Sequence, residues 1–344
     1  MYTLNRFPSI VLTCILLVST AFLTVSFDPW QVPGIAERVS SHIAFLSSNA
    51  SGQPLIIPSP AIAGDSVVIP LRRAGRLFLV EATVDGETGF LVFDTGASGI
   101  VLNRTYFRNH VVIGTQTYGD VNGSGRENEK IAIDRMEIGG IQYKGLSAAC
   151  ANLGHIENRR GVKVLGLFGF ALFTEYEIVL DPLHNELKLY RLNTKGNRLA
   201  PAYGKFGADH TRNFEWLHGI LFLKATVGGR ELRFCLDTGA ETNVLDSHAP
   251  KDALRSVSLT RRSNLKGVGQ GSAEVVLGNM NDFSYDGEQI NGMETIVTNL
   301  DPLGEAYGSK IDGMLGYSFI SRGVICINFI KKELGISFIK QEAQ

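Results

Sequence analysis

Two aspartates are marked out by what surrounds them. Asp94 lies in FLVFDTGASGIVLN, residues 90–103, and Asp237 lies in FCLDTGAETNVLD, residues 234–246. In each copy an apolar run delivers a carboxylate to a Thr and a Gly and then resumes. This is the pattern of a buried strand entering a tight turn, a costly place for a charge. A single Asp-Thr-Gly reads as a turn-capping Asp. Two copies change that reading, because carboxylates brought face to face cannot both ionise cheaply and must hold a proton between them. One member of such a pair can take a proton from water while the other, still protonated, donates to the carbonyl oxygen under attack. An amide is then hydrolysed without a covalent intermediate. The proton belongs to the pair, so acid and base are not assigned to individual residues.

The elements that must position the two aspartates are duplicated. LFLVEATVDGETGFLVFDTGASGIVLN, from Leu77, aligns without a gap on ILFLKATVGGRELRFCLDTGAETNVLD, from Ile220. Each copy predicts a hairpin. Its first strand ends at Asp85-Gly86 or Gly228-Gly229, dipeptides suited to positive φ, and its second strand climbs to the Asp-Thr-Gly turn. A second match follows in the same order, with Gly166 and Gly169 over Gly313 and Gly316. An apolar-x-Gly-x-apolar-Gly segment is what a strand looks like where another backbone crosses it closely. Two separated matches mean duplication of a whole domain. The expected organisation is a signal peptide or membrane anchor over 1–28, a linker or propeptide over 29–65, a lobe over 66–192, an interlobe linker over 193–213 and a second lobe over 214–340.

With both triplets and both apolar-Gly segments in hand, the chain resembles aspartic peptidases of the pepsin and retropepsin superfamily, across both units. The resemblance implies a mostly β, bilobal acid-protease fold, with two retropepsin-like β-barrel lobes and the active site between them. It implies Asp94 and Asp237 as the catalytic pair. Thr95 and Thr238 would exchange hydrogen bonds across the lobe interface, and the amides of Gly96 and Gly239 would hold the carboxylates. Both copies have Ala after the triplet, Ala97 and Ala240, as retroviral peptidases and their bacterial relatives do, where pepsins have Ser or Thr. Loss of that hydroxyl removes stabilisation of the charged form and predicts a mildly acidic optimum. Gly-rich stretches follow each turn, YGDVNGSG from Tyr118 and LKGVGQGS from Leu265. They are candidate substrate-covering flaps, with Tyr118, Val121 and Gly123 in one and Gly267, Val268 and Gly269 in the other.

The remaining composition narrows the function. Net charge is −1 over 344 residues with no basic stripe, which argues against nucleic acid as a partner. No HxxH, HExxH or CxxC pair occurs and no G-x-S-x-G elbow, so neither a metal site nor any other cofactor is expected. From Ser9 to Phe27 the chain is uncharged and largely apolar, close to the roughly 18–20 residues that span a bilayer. Residues 9–27 therefore read as a targeting segment or membrane tether, and the protein as exported, to a periplasmic or other extracytoplasmic space. Cys235 is expected as a small buried hydrophobe, and a Cys150–Cys326 bridge is left open. The expected partner is a polypeptide substrate taken by a monomer with pseudo-twofold symmetry. A non-catalytic peptide-binding protein on the same fold, or a narrow processing peptidase for one partner, are the rival readings.

Overall fold

The computed structural model describes residues 64–118, 126–199, 207–266 and 272–339. The expectations for the targeting segment and for nearly all of the stretch before the first lobe lie outside these residues. Among the described residues no helix is long and apolar enough to cross a membrane.

The two hairpins are built alike because their turn chemistry is alike. Strands Leu77–Val84 and Glu87–Phe93 join through Asp85 (φ 45°) and Gly86 (φ 88°), and Ile220–Val227 and Arg230–Leu236 join through Gly228 (φ 56°) and Gly229 (φ 71°). Positive φ at both central residues matches the right-handed twist of the flanking strands. The second strand of each hairpin is buried at its last three residues, which lead into Asp94 or Asp237.

Each hairpin belongs to a curled sheet, eight strands in the first lobe and ten in the second, nine of them on its main path. In the first, Leu77–Val84 pairs with Glu87–Phe93 on one side and with the end of Arg126–Ile138 on the other, so the sheet closes on itself. In the second, a separate hairpin, Phe283–Tyr285 and Glu288–Ile290, supplies the pairing to Thr226 and Val227. The apolar-Gly strands, Val164–Phe168 and Gly313–Leu315, run parallel to the strands that carry the aspartates and antiparallel to Ile100–Asn103 and Asn243–Asp246. Close crossing is why glycine is needed there. A Cβ on Gly166 would lie 2.2 Å from the Val101 carbonyl oxygen, and one on Gly313 would lie 2.6 Å from that of Val244.

The lobes share a third sheet of six antiparallel strands. Its order is Ser66–Pro70, Glu186–Arg191, Tyr176–Asp181, Gly323–Asn328, Glu333–Phe338 and His210–Asn213. Three strands come from each side of the pseudo-twofold axis, which passes between Tyr176–Asp181 and Gly323–Asn328, paired as Ile178 with Ile327 and Leu180 with Ile325. These four side chains are buried, and one hydrophobic core runs from Phe78 and Phe93 in the first lobe to Phe234 and Leu315 in the second. Removing that apolar surface from water is the main force holding the lobes together. The fold is thus mostly β, with two curled-sheet lobes on a shared floor. All three described cysteines, Cys150, Cys235 and Cys326, are free, so the bridge left open by the sequence is not formed, and Cys235 is fully buried.

Candidate active site

The turns at the tops of Glu87–Phe93 and Arg230–Leu236 meet across the lobe interface. Each is tied first to its own apolar-Gly strand: the Asp94 amide donates to the Phe168 carbonyl at 2.8 Å and the Asp237 amide to that of Leu315 at 2.9 Å. The threonines then lock the turns to one another. Thr95 Oγ1 donates to the Leu236 carbonyl at 2.7 Å and Thr238 Oγ1 to the Phe93 carbonyl at 2.6 Å. Each Oγ1 in turn accepts the opposite threonine's amide at 3.0 Å. All four residues are buried, and each threonine hydroxyl is used as donor and acceptor together.

Above this lock the carboxylates face each other. The Gly96 amide donates to Asp94 Oδ1 at 3.0 Å and to Asp237 Oδ1 at 3.3 Å, so one N–H reaches both. The Gly239 amide donates to Asp237 Oδ1 at 2.8 Å. Oδ2 of each aspartate is buried and receives no hydrogen bond from an amide or a hydroxyl. Only glycine fits beside them. A Cβ on Gly96 would sit 2.7 Å from Asp237 Oδ2, and one on Gly239 would sit 2.5 Å from Asp94 Cγ.

Burial disfavours the charge on both aspartates. The Asp94 carboxyl is pushed well above the usual range, first by burial and then by the charge of Asp237, against the amides of Gly96 and Ala97. Asp237 is also raised by burial, and the amides of Gly239, Gly96 and Ala240 oppose the rise. The arrangement holds one proton more readily than two full charges. Water activation is the chemistry it can perform.

Of the candidate flap residues, Tyr118 ends the strand Val112–Tyr118, which pairs with Arg126–Ile138; Val121 and Gly123 lie outside the described residues. In the second lobe Val257–Lys266 pairs with Ser272–Met280, and Gly267, Val268 and Gly269 likewise lie outside them. The structure therefore brings together Asp94, Asp237, the two threonines and the two glycines.

It also brings to the site a set of charges that sequence reasoning missed. Glu241, four residues after Asp237, is buried, and its carboxylate pairs with Arg160 of the first lobe. Its carbonyl accepts from Arg76 Nη1 at 2.9 Å, and the same Nη1 meets Glu294 Oε2 at 2.6 Å. Both arginines belong to the first lobe and both glutamates to the second. The mirror positions, from the alignment of the two copies, are Ser98 for Glu241, Gly219 for Arg76 and Tyr307 for Arg160, all uncharged. There Gly219 packs directly on Ser98, a Cβ on the glycine falling 2.5 Å from the Ser98 Cβ. The signal in the sequence was the mismatch between the copies after Ala97 and Ala240.

One grouping of potential metal ligands occurs among the described residues: Asp246, His248 and Asp301, each with an atom within 4.8 Å of the others. Buried Asp246 already accepts the Leu300 amide at 3.1 Å, and the other two are exposed at the start of the helix Asp301–Tyr307. The group reads as an ion cluster at a helix start, away from the dyad chemistry.

Comparison with known proteins gives three findings. The model of the family described as aspartyl protease matches residues 223–319, a span that contains Asp237-Thr238-Gly239 and the segment from Gly313 to Gly316. No curated protein sequence matches the chain. Among solved structures, basic 7S globulin from soybean is similar at 10% identity, covering 79% of this chain and 95% of that one, with a TM-score of 0.46. The family match supports an aspartyl protease family for the lobe that contributes Asp237.

Proposed function

We propose that the chain is an aspartic endopeptidase that hydrolyses peptide bonds by activating water at the Asp94/Asp237 dyad. The observation that carries this reading is the Gly96 amide donating to both carboxylates from opposite lobes, which fixes the two groups within reach of one shared proton. The Oδ2 atoms, left without amide or hydroxyl donors, are where that proton and the attacking water are held. One carboxylate draws a proton from the water as the other donates to the scissile carbonyl, and the threonine lock keeps both in place throughout. The substrate is a polypeptide lying between the lobes. In this reading the enzyme is an exported monomer, tethered through residues 9–27 if that segment is retained.

The test is hydrolysis of an unstructured protein by the full-length chain between about pH 3 and 8, with and without a statine transition-state inhibitor. A mildly acidic optimum and inhibition by statine are expected. Asp94→Asn and Asp237→Asn should each lower the rate by roughly a thousandfold or more. Cleavage that survives either substitution would refute the shared dyad.

A further inference from the structure

Arg76 does more than bond to Glu241. With Glu294, Tyr317, Ser318, Ser321 and Arg322 it lines a cavity of about 300 Å³ where the first lobe meets the second. The charges around this cavity do not balance. Arg322 has no carboxylate partner among the described residues: its Nε donates to the Ser318 carbonyl and its Nη2 to that of Gly292, each at 3.3 Å. Arg76 meets Glu294, but the Glu241 carboxylate is taken by Arg160. Behind the Tyr317 ring a third guanidinium, Arg73, stacks 4.4 Å from the ring centroid, and its Nη1 is buried with no partner. Two guanidinium groups, Arg76 and Arg322, and one carboxylate, Glu294, therefore line a half-enclosed space, with Arg73 behind the Tyr317 ring, and there unneutralised charge is unfavourable.

We propose that this junction cavity binds a small oxyanion, inorganic phosphate or a short carboxylate, held by Arg322 and Arg76 with the hydroxyls of Ser318 and Ser321. The planar guanidinium fork and serine hydroxyls are the donors that recognise such oxygens. The volume holds an anion of this size together with bridging water, at the small end of ligand pockets. Occupancy also bears on the dyad, because Arg76 is shared between the cavity and the carbonyl of Glu241. An anion that draws Arg76 toward Arg322 loosens the hold on the turn that follows Asp237.

Binding is measured directly, so the result does not depend on the peptidase reading. The full-length chain is titrated by calorimetry with inorganic phosphate and, separately, with succinate, at constant ionic strength. One saturable site is expected, and the tighter of the two ligands identifies the oxyanion class. Arg322→Ala should weaken binding about tenfold or more, the loss of a charge-assisted hydrogen bond. Glu294→Gln removes the competing carboxylate and should tighten binding several-fold, a change that misfolding cannot produce. Heat that follows ionic strength without saturating would overturn the proposal. So would affinity unchanged in Arg322→Ala, or weakened in Glu294→Gln.

Discussion

Asp94 and Asp237 ionise reluctantly in the folded chain, and this makes stability depend on pH in a definite direction. Their folded pKa values lie above the ordinary aspartate value of about 4, so between those limits the native state binds more protons than the unfolded chain. The dyad is least unfavourable below the ordinary value, and stability falls as pH rises from there through the folded values. Asparagine cannot ionise and escapes the penalty. Asp94→Asn, inactive by the reasoning above, should therefore melt above the parent at pH 7, by an amount on the order of 1–3 kcal/mol. The gap should close as pH falls toward 4. Thermal melts of parent and variant across that range measure it, and a variant no more stable at pH 7 would mean that the carboxylates are not buried together. The parent tolerates this strain because the Gly96 and Gly239 amides stabilise the charge that must be there.

At the scale of the element, each aspartate turn is held from behind by an apolar-Gly strand, and the sequence shows this because the requirement is local. Gly169 and Gly316 sit one residue past the strand carbonyls that accept from Asp94 and Asp237. A Cβ on Gly169 would fall 1.7 Å from the Ala97 carbonyl oxygen, and one on Gly316 would fall 2.5 Å from that of Ala240. No side-chain rotation relieves a clash with backbone. Gly169→Ala should cost about 3 kcal/mol or more in urea unfolding. Gly229→Ala, with nothing within 4 Å but φ +71°, should cost only about 1 kcal/mol. Equal costs would show that close approach is not what the motif serves. The hairpins, their positive-φ turns and the glycine crossings were legible for the same reason: each is decided by neighbouring residues. The six-stranded floor was not, since its strands alternate apolar residues in ways that name no partner, and the pairing of Ile178 with Ile327 joins segments from different lobes. Arg76 and the Glu241 carbonyl are 165 residues apart, and neither residue type announces the other.

Across the described residues the pseudo-twofold is kept in the floor sheet and the threonine lock and broken beside the dyad. Arg160 and Arg76 grip Glu241 on one flank of the dyad, while Gly219 and Ser98 make a close neutral contact on the other. The pair is enclosed, with side chains only 15% exposed for Arg160 and 6% for Glu241, so solvent does little to screen it. Breaking such a pair leaves a buried charge unmatched, at roughly 3–5 kcal/mol, whereas replacing both members by apolar residues of similar volume is often neutral. Arg160→Met alone should therefore destabilise by about that amount, and the double change with Glu241→Met should recover most of it. Activity should not fully recover, because the Arg76 bond to the carbonyl of residue 241 is then left to tie the chain four residues after Asp237 to the first lobe without the ion pair; kcat should stay low with KM little changed. A double variant as active as the parent would show that the ion pair only fills space. A stable double variant with lost turnover would show that one charged flank sets the position of half of the active site.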